Sequence, residues 1–223
     1  MAVAFCPCAP VLVPELAQGA AGELADVRAA CDAVVATLLT AATAAARPVT
    51  VVAPGPATLV SGTGAGWSFD GFGLRGLGQP GEPRLGPAAA VGAWLLDRGG
   101  WDGDRVYVEV APETDALPRD AWLAVHRGAA LLVLGDASAT HSARAPLAYE
   151  PDAQAYDDAV AAALADGDPE RLAALDPDEG RRLGAAGAPV WHVVGRSLTG
   201  RYAGELLARS SPYGVGYLVA RWT

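Results

Sequence analysis

The spacing of hydrophobic and polar positions along the chain predicts strands that alternate with helices. Four short apolar or β-branched runs indicate strands, at residues 2–6, 49–54, 105–111 and 129–136. The last of these runs, "AALLVLGD", is continuously apolar until its final two residues, as expected of a central strand buried on both faces of a sheet. A hairpin over residues 204–222 is predicted to close the chain.

Apolar residues three and four positions apart predict helices between these strands. The longest helix runs from about Glu23 to Ala46, where Leu24, Val27 and Cys31 begin its apolar stripe, and Arg47-Pro48 ends it. Further helices are predicted at about 87–98, 119–128, 152–166 and 189–198. Two short helices begin at Asp168-Pro169 and Asp176-Pro177, because each acid can cap a helix whose first residue is proline.

This alternation predicts an α/β fold in one domain over residues 1–223. We expect a sandwich with a central mixed, largely parallel sheet and helices on both faces. A chain of 223 residues is long enough to bury a substantial single core. Ten glycines between Gly55 and Gly86 predict a long irregular loop, of the kind that often lines a site.

Composition and charge narrow the functional classes. The chain is 52% hydrophobic and 18% charged, which is typical of a globular protein. Its net charge of −9 argues against nucleic acid or an anionic membrane as a partner. No stretch approaches the length of uninterrupted apolar sequence that a membrane-spanning helix needs. The N-terminus lacks the basic segment that is typical of a signal peptide. Three cysteines are too few for a disulfide scaffold. We therefore expect a cytoplasmic protein.

The segment "AFCPCAPVLVPE" (4–15) places Cys6 and Cys8 where an apolar strand enters a proline-rich loop. Two thiolates at this spacing could share a metal if the backbone turned at Pro7, but a closed zinc site needs two more ligands at a recognisable spacing. A redox pair is a further alternative. We interpret both residues as small buried side chains.

Two other motifs match sites only formally. "GFGLRG" (71–76) fits G-x-G-x-x-G, but it neither follows an apolar strand nor opens a helix, so we interpret it as a chance match. No serine lies in a G-x-S-x-G turn, which argues against a hydrolase triad. The closing segment "SSPYGVGYLVA" (210–220) has glycines at 214 and 216 between aromatic residues, which predict close backbone approach or a bulge.

The three histidines differ in their surroundings. His126 and His192 lie within predicted helices, where a packed or capping role is expected. His141 follows the strand end in the polar loop "GDASATH", just after Asp136. Ligands of open α/β sheets bind at that edge, so His141 is the candidate functional histidine.

Several segments together resemble one family of enzymes. Five segments are similar to segments of the catalytic subunit of class III extradiol ring-cleavage dioxygenases. In chain order they are "CPCAPVLVPE", "VTVVAPGPATLVSG", "LLVLGDAS", the helical stretch "AYEPDAQAYDDAVAAALADGDPERLAALDP" and the closing segment "SSPYGVGYLVA". That catalytic subunit is of the LigB type, to which Memo-like proteins are related. The resemblance spans nearly the whole chain, and the closing segment, with Tyr213, is its most specific part.

The resemblance implies a ferrous site with substituted ligands. In the family, two histidines and a carboxylate bind Fe(II) and leave positions open for a catecholic substrate and dioxygen, and a further histidine acts as acid and base. The ligand positions fall on Cys8, Gly55 and Ser210, and the acid/base position falls near Ala139, two residues before His141. An inherited pocket would also include Asp136 and Tyr213.

These residues lead to two functional expectations. The first is a class III extradiol dioxygenase-like protein of the LigB type, implied to insert O2 into a small aromatic ring with Fe(II), with activity altered or absent because ligands are substituted. The alternative is a non-catalytic module on the same scaffold, which binds a small molecule or a protein. Members of the family often work as assemblies, so a homo-oligomer or a two-subunit form is expected.

Overall fold

Nine strands and eight α-helices follow one another along residues 1–223, all of which are described by a computed structural model. The strands are β1 Ala2–Cys6, β2 Val49–Pro54, β3 Leu59–Gly62, β4 Trp67–Phe69, β5 Leu74–Gln79, β6 Arg105–Val110, β7 Ala130–Leu134, β8 Gly204–Ser210 and β9 Tyr217–Trp222. The helices are α1 Pro14–Ala17, α2 Ala25–Ala45, α3 Pro87–Arg98, α4 Arg119–Arg127, α5 Ala153–Asp166, α6 Pro169–Ala173, α7 Pro177–Arg182 and α8 Ala188–Ser197. Short 3-10 turns lie at Pro10–Leu12, Gln18–Leu24 and Asp70–Phe72.

Seven strands form one mixed sheet in the order β3-β6-β2-β7-β1-β9-β8. The four central strands β6, β2, β7 and β1 are parallel to one another, whereas β3, β9 and β8 pair antiparallel. The predicted α/β class with a mixed, mostly parallel central sheet is therefore confirmed. Since parallel strands share their direction, the segments that follow β1, β2, β6 and β7 all begin on the same side of the sheet, at the carboxyl ends of these strands.

Successive side chains of each central strand point to opposite faces of the sheet. In β1, Ala4 and Cys6 pack with α2 and α3, whereas Val3 and Phe5 pack with α5 and α8. This two-residue period explains why the central strands are apolar at every position, since both faces are covered.

Helix α2 packs along the sheet through the stripe that contains Val27, Cys31, Val34 and Leu38. The helical run Pro14–Ala45 around it is long and apolar enough to cross a membrane by length and composition alone, and 44% of its most apolar window is buried. This run is an exception to the expectation that no segment approaches a span. A core helix of this composition passes the same test.

The expectation of a long irregular loop between Gly55 and Gly86 is wrong. Strand β3 pairs with β6 at the edge of the main sheet, and β4 pairs with β5 in a separate hairpin. These strands could not be predicted from the sequence because glycine has a low strand propensity. They form because the backbone of each strand is hydrogen-bonded to that of a neighbouring strand. The segment "GFGLRG" (71–76), which formally matches G-x-G-x-x-G, therefore lies in the 3-10 turn and in β5, as part of a hairpin.

The two predicted acidic caps are confirmed. The Asp168 carboxylate accepts hydrogen bonds from the backbone N–H groups of Glu170 and Arg171 at the start of α6. Asp176 does the same for Asp178 and Glu179 in α7. These caps fix where the chain turns between α5 and α8, on the side of the sheet that carries Asp157 and His192.

Candidate functional site

Two of the predicted site residues meet at the carboxyl ends of adjacent strands. Cys8 follows β1, Asp136 follows β7, and Cys6 lies opposite Leu134 in the pairing of these strands. The backbone N–H of Cys8 donates a hydrogen bond to Oδ1 of Asp136 at 2.9 Å. The sequence placed both residues at this edge, and the parallel pairing brings them into contact.

Burial decides the protonation of this pair. Asp136 is 8% exposed, and desolvation raises its pKa to about 6, although the hydrogen bonds from the Cys8 and Ala9 backbone oppose this shift. Burial also raises the pKa of the Cys8 thiol well above its ordinary value, and the nearby Asp136 carboxylate adds to the effect.

Gly55 lies just beyond β2, and the side chain of Glu109 fills the space beside it. A Cβ atom added to Gly55 would lie 2.7 Å from Cβ of Glu109 and 3.0 Å from its Oε1. Glu109 comes from β6, is 2% exposed, and accepts a hydrogen bond at 3.0 Å from the N–H of Gly86 at the start of α3. Burial raises the pKa of this carboxyl, and the Gly86 amide partly offsets the rise.

Ser210 ends β8 directly opposite Tyr217 of β9. Its Oγ is buried and has no hydrogen-bond partner within the protein. Tyr217 is also buried, and desolvation together with the nearby Asp136 raises the pKa of its phenol. Tyr213, in contrast, donates its hydroxyl proton to the carbonyl of Ala20 at 3.3 Å, so it ties the closing segment to the turn before α2.

These positions do not fit the ferrous site that the resemblance implies. Cys8 offers a buried thiol in place of a histidine, Gly55 offers no side chain and no space for one, and Ser210 offers a neutral hydroxyl in place of a carboxylate. No group of three or more His, Cys, Asp or Glu side chains in the chain is arranged to hold a metal ion. A site for Fe(II) needs histidine and carboxylate donors that converge on one point, and this donor set lacks them.

His141 pairs instead with a carboxylate, Asp157, that was not among the residues predicted to form the site. Its Nε2 lies 2.6 Å from Oδ2 of Asp157, and Oδ1 of the same carboxylate accepts the N–H of Ser138 at 2.9 Å. Asp157 is 2% exposed and comes from α5. It lies on the inward stripe of that helix with Val160 and Leu164, and an acid in such an apolar stripe is the signal that could have revealed it.

The His141–Asp157 pair forms part of the wall of a pocket of about 210 Å³. The other side chains in this wall are mostly polar, namely Gln154, Arg209, Ser210, Ser211 and Leu218. Arg209 forms an ion pair with Asp158, which lowers the pKa of that exposed carboxyl. Asp136 and Tyr213 are not among the residues that line this pocket.

The loop that carries His141 is held by the closing segment. Gly216 accepts the N–H of Ala137 and donates its own N–H to Ser138, both at 2.8 Å, and the N–H of His141 donates to the carbonyl of Gly214 at 3.2 Å. Gly214 has φ +72°, and a Cβ atom there would lie 2.7 Å from Ala145, so a side chain is excluded twice over. The close backbone approach predicted for these glycines is confirmed, and they lie in the turn before β9.

The remaining histidines and cysteines pack within the fold. Nδ1 of His126 lies 2.9 Å from the carbonyl of Trp122 within α4, and the two rings stack. His192 lies 3.1 Å from the carbonyl of Ala173 and 3.0 Å from Asp115, through its two ring nitrogens. Cys6, like Cys8 and Cys31, is buried as a free thiol.

A scan of protein-family models finds none that matches this chain, and a search of curated proteins finds no match either. The function proposed below therefore rests on the geometry of the site and on the segments that resemble the LigB type.

Proposed function

We propose that residues 1–223 form a single LigB-like domain, a class III extradiol dioxygenase-like protein, in an α/β sandwich. On this proposal the protein binds a small hydroxylated aromatic compound in the pocket beside His141. The observation that carries it is the 2.6 Å contact between His141 and the buried Asp157 carboxylate in the wall of that pocket. Ser210, one of the positions that the resemblance assigns to metal binding, lines the same pocket.

The pocket chemistry suits a phenolic hydroxyl. Since Nε2 of His141 faces Asp157, a neutral imidazole that donates from Nε2 keeps Nδ1 as a proton acceptor. A ligand hydroxyl would give its proton to Nδ1, so that the O–H bond breaks and an N–H bond forms. The Asp157 carboxylate would then stabilise the imidazolium, which is how a carboxylate supports a histidine base. Gln154 and Ser211 offer further hydrogen bonds to a polar ring substituent.

Iron has no step in this proposal, because the donor set at Cys8, Gly55 and Ser210 does not fit it. Ring cleavage as the family performs it is therefore altered or lost, and binding with hydroxyl deprotonation is what the remaining residues support. A non-catalytic small-molecule or protein-interaction module on the same scaffold is the second candidate. The observation that favours it is the Glu109 side chain, which leaves no space for a metal-binding side chain at position 55.

The experiment is an anaerobic titration of catechol into the protein. Binding is measured by calorimetry, and deprotonation of the catechol is measured by the ultraviolet absorption band of the catecholate. Wild-type protein should bind catechol and generate the catecholate band below the pH at which free catechol ionises. His141→Gln should weaken binding by about tenfold or more and remove the band, because the proton acceptor is lost. His126→Gln, on α4 and outside the pocket, is the matched control and should behave as wild type.

Two outcomes would count against the proposal. An absence of saturable catechol binding at millimolar concentration would reject the pocket as an aromatic site. Binding without the catecholate band, equal in wild type and His141→Gln, would favour the non-catalytic module.

We also propose that the protein is cytoplasmic and that it binds neither nucleic acid nor a membrane. The net charge of −9 and three buried free thiols support it. A homo-oligomer or a complex with a partner subunit also belongs to the proposal. It is supported by β3 and β8, which end the sheet and each leave one side without a strand partner.

A further inference from the structure

A second cavity opens at the carboxyl ends of β2 and β6, away from His141. Its volume is about 270 Å³. Four prolines form much of its wall, with one at the end of β2, one after β6 and one in each of α7 and α8: Pro54, Pro112, Pro177 and Pro189. It shares no lining residue with the pocket beside His141.

The walls of this cavity are apolar and rigid. A proline ring fixes its own φ and offers only carbon atoms to a ligand, so the cavity needs little rearrangement to bind one. Ala185 adds a buried methyl group to the wall. The volume lies just below the range of about 300–1,000 Å³ that is typical of sites for drug-sized ligands, so a single small ring is the size that fits.

Arg181 is the one charged residue that lines the cavity. Its Nη2 donates to the carbonyl of Pro112 at 3.1 Å, which holds the guanidinium at the cavity wall. Its Nη1 donates to Asp178 at 2.6 Å, but Asp178 is 80% exposed, and exposed ion pairs contribute little to stability. The Arg181 side chain is itself 51% exposed, so a ligand can reach the guanidinium, and the planar arrangement of its N–H donors matches a carboxylate.

We propose that this cavity binds a small apolar monocarboxylate. The ring or short chain of the ligand packs against the four prolines, and its carboxylate accepts hydrogen bonds from Arg181 in competition with Asp178. The site lies where ligands of open α/β sheets bind, beyond the carboxyl ends of parallel strands. It is a second binding site, independent of the aromatic hydroxyl site proposed beside His141.

The test is a calorimetric titration of benzoate at neutral pH into wild-type protein and into Arg181→Gln. Benzoate should bind the wild type with a dissociation constant in the micromolar to millimolar range, and Arg181→Gln should weaken it by about tenfold or more. Arg127→Gln removes an exposed charge at the end of α4 and is the matched control, with affinity unchanged. Benzyl alcohol, which is neutral, should bind wild type and Arg181→Gln equally.

Arg181→Lys guards against a loss of folding in Arg181→Gln. It keeps the charge but not the planar donor arrangement, so its affinity for benzoate should lie between those of wild type and Arg181→Gln. No saturable binding of benzoate to wild type would overturn the proposal, as would equal affinity of wild type and Arg181→Gln. Benzoate binding that is weakened by His141→Gln and not by Arg181→Gln would also overturn it, and would assign the ligand to the pocket beside His141.

Discussion

The side chain of Glu109 occupies the space into which a side chain at position 55 would project. An added Cβ atom on Gly55 would meet Cβ of Glu109 at 2.7 Å, closer than such carbon atoms come in proteins. Glu109 cannot move away without cost, because it is buried and its carboxylate accepts the Gly86 N–H at the start of α3. Position 55 is therefore closed to any side chain by a neighbour that also supports a helix.

This contact predicts a coupling between the two positions. Gly55→Ala should destabilise the protein by about 1–3 kcal/mol, because it overpacks the space beside Glu109. In a Glu109→Gly background the same change should cost clearly less, since the opposing Cβ is gone. Urea denaturation of the four proteins in the cycle measures the coupling.

The matched control is Gly62→Ala, since a Cβ atom there meets no heavy atom within 4 Å. Its cost should be the same with and without Glu109. Additive effects of Gly55→Ala and Glu109→Gly would contradict the steric account.

Iron loading should leave the protein nearly free of metal. After expression with added iron under anaerobic conditions and desalting, mass spectrometry should find metal well below one ion per chain, because Cys8, Gly55 and Ser210 do not supply the donors. Cys8→Ser should contain the same small amount. Near-stoichiometric iron in the wild type that Cys8→Ser loses would show that the pocket has recruited replacement ligands.

Asp136 should make stability depend on pH near 6. Burial raises its folded-state pKa to about 6, above its usual value of about 3.9, so the protonated form favours folding. Its contribution is fully present below about pH 4 and is lost as the pH rises through 6. Asp136→Asn keeps an oxygen for the Cys8 N–H without the charge, and should be more stable than wild type at pH 8 by up to about 3 kcal/mol.

Urea denaturation of wild type and Asp136→Asn across pH 4 to 8 measures this difference. Asp102→Asn, which changes an exposed aspartate, should follow the wild-type curve. If the difference between Asp136→Asn and wild type stayed constant over this range, the carboxyl would not titrate as its burial requires.

Asp157 should matter for stability far more than its sequence neighbour. Asp157→Ala leaves the buried Ser138 N–H without its acceptor and His141 without its partner, so we expect a loss of about 2–4 kcal/mol. Asp158→Ala, at an exposed carboxylate paired with Arg209, should change stability little. Equal losses for the two variants in thermal or urea unfolding would contradict the buried role of Asp157.

The local elements could be predicted because each depends on nearby residues. The continuous apolar run of β7 favours a buried strand, and the capping acids Asp168 and Asp176 favour helix starts. Both effects depend on neighbouring residues and not on the path of the rest of the chain. The strands between Gly55 and Gly86 could not be predicted, since their hydrogen bonds depend on β6 and on each other across the sequence. Glycine-rich segments carry no local signal for such pairing.

The sequence by itself determined the α/β class and placed Cys8, Asp136 and His141 in segments that follow strands. The period of apolar side chains and the position of polar residues after each apolar run suffice for these, because they are properties of the local chain. Only the tertiary structure decided that Asp157 is the partner of His141, that Glu109 closes position 55, and that four prolines line one cavity with Arg181. Each of these depends on which distant segments pack together, and burial then sets the chemistry of the groups that meet there.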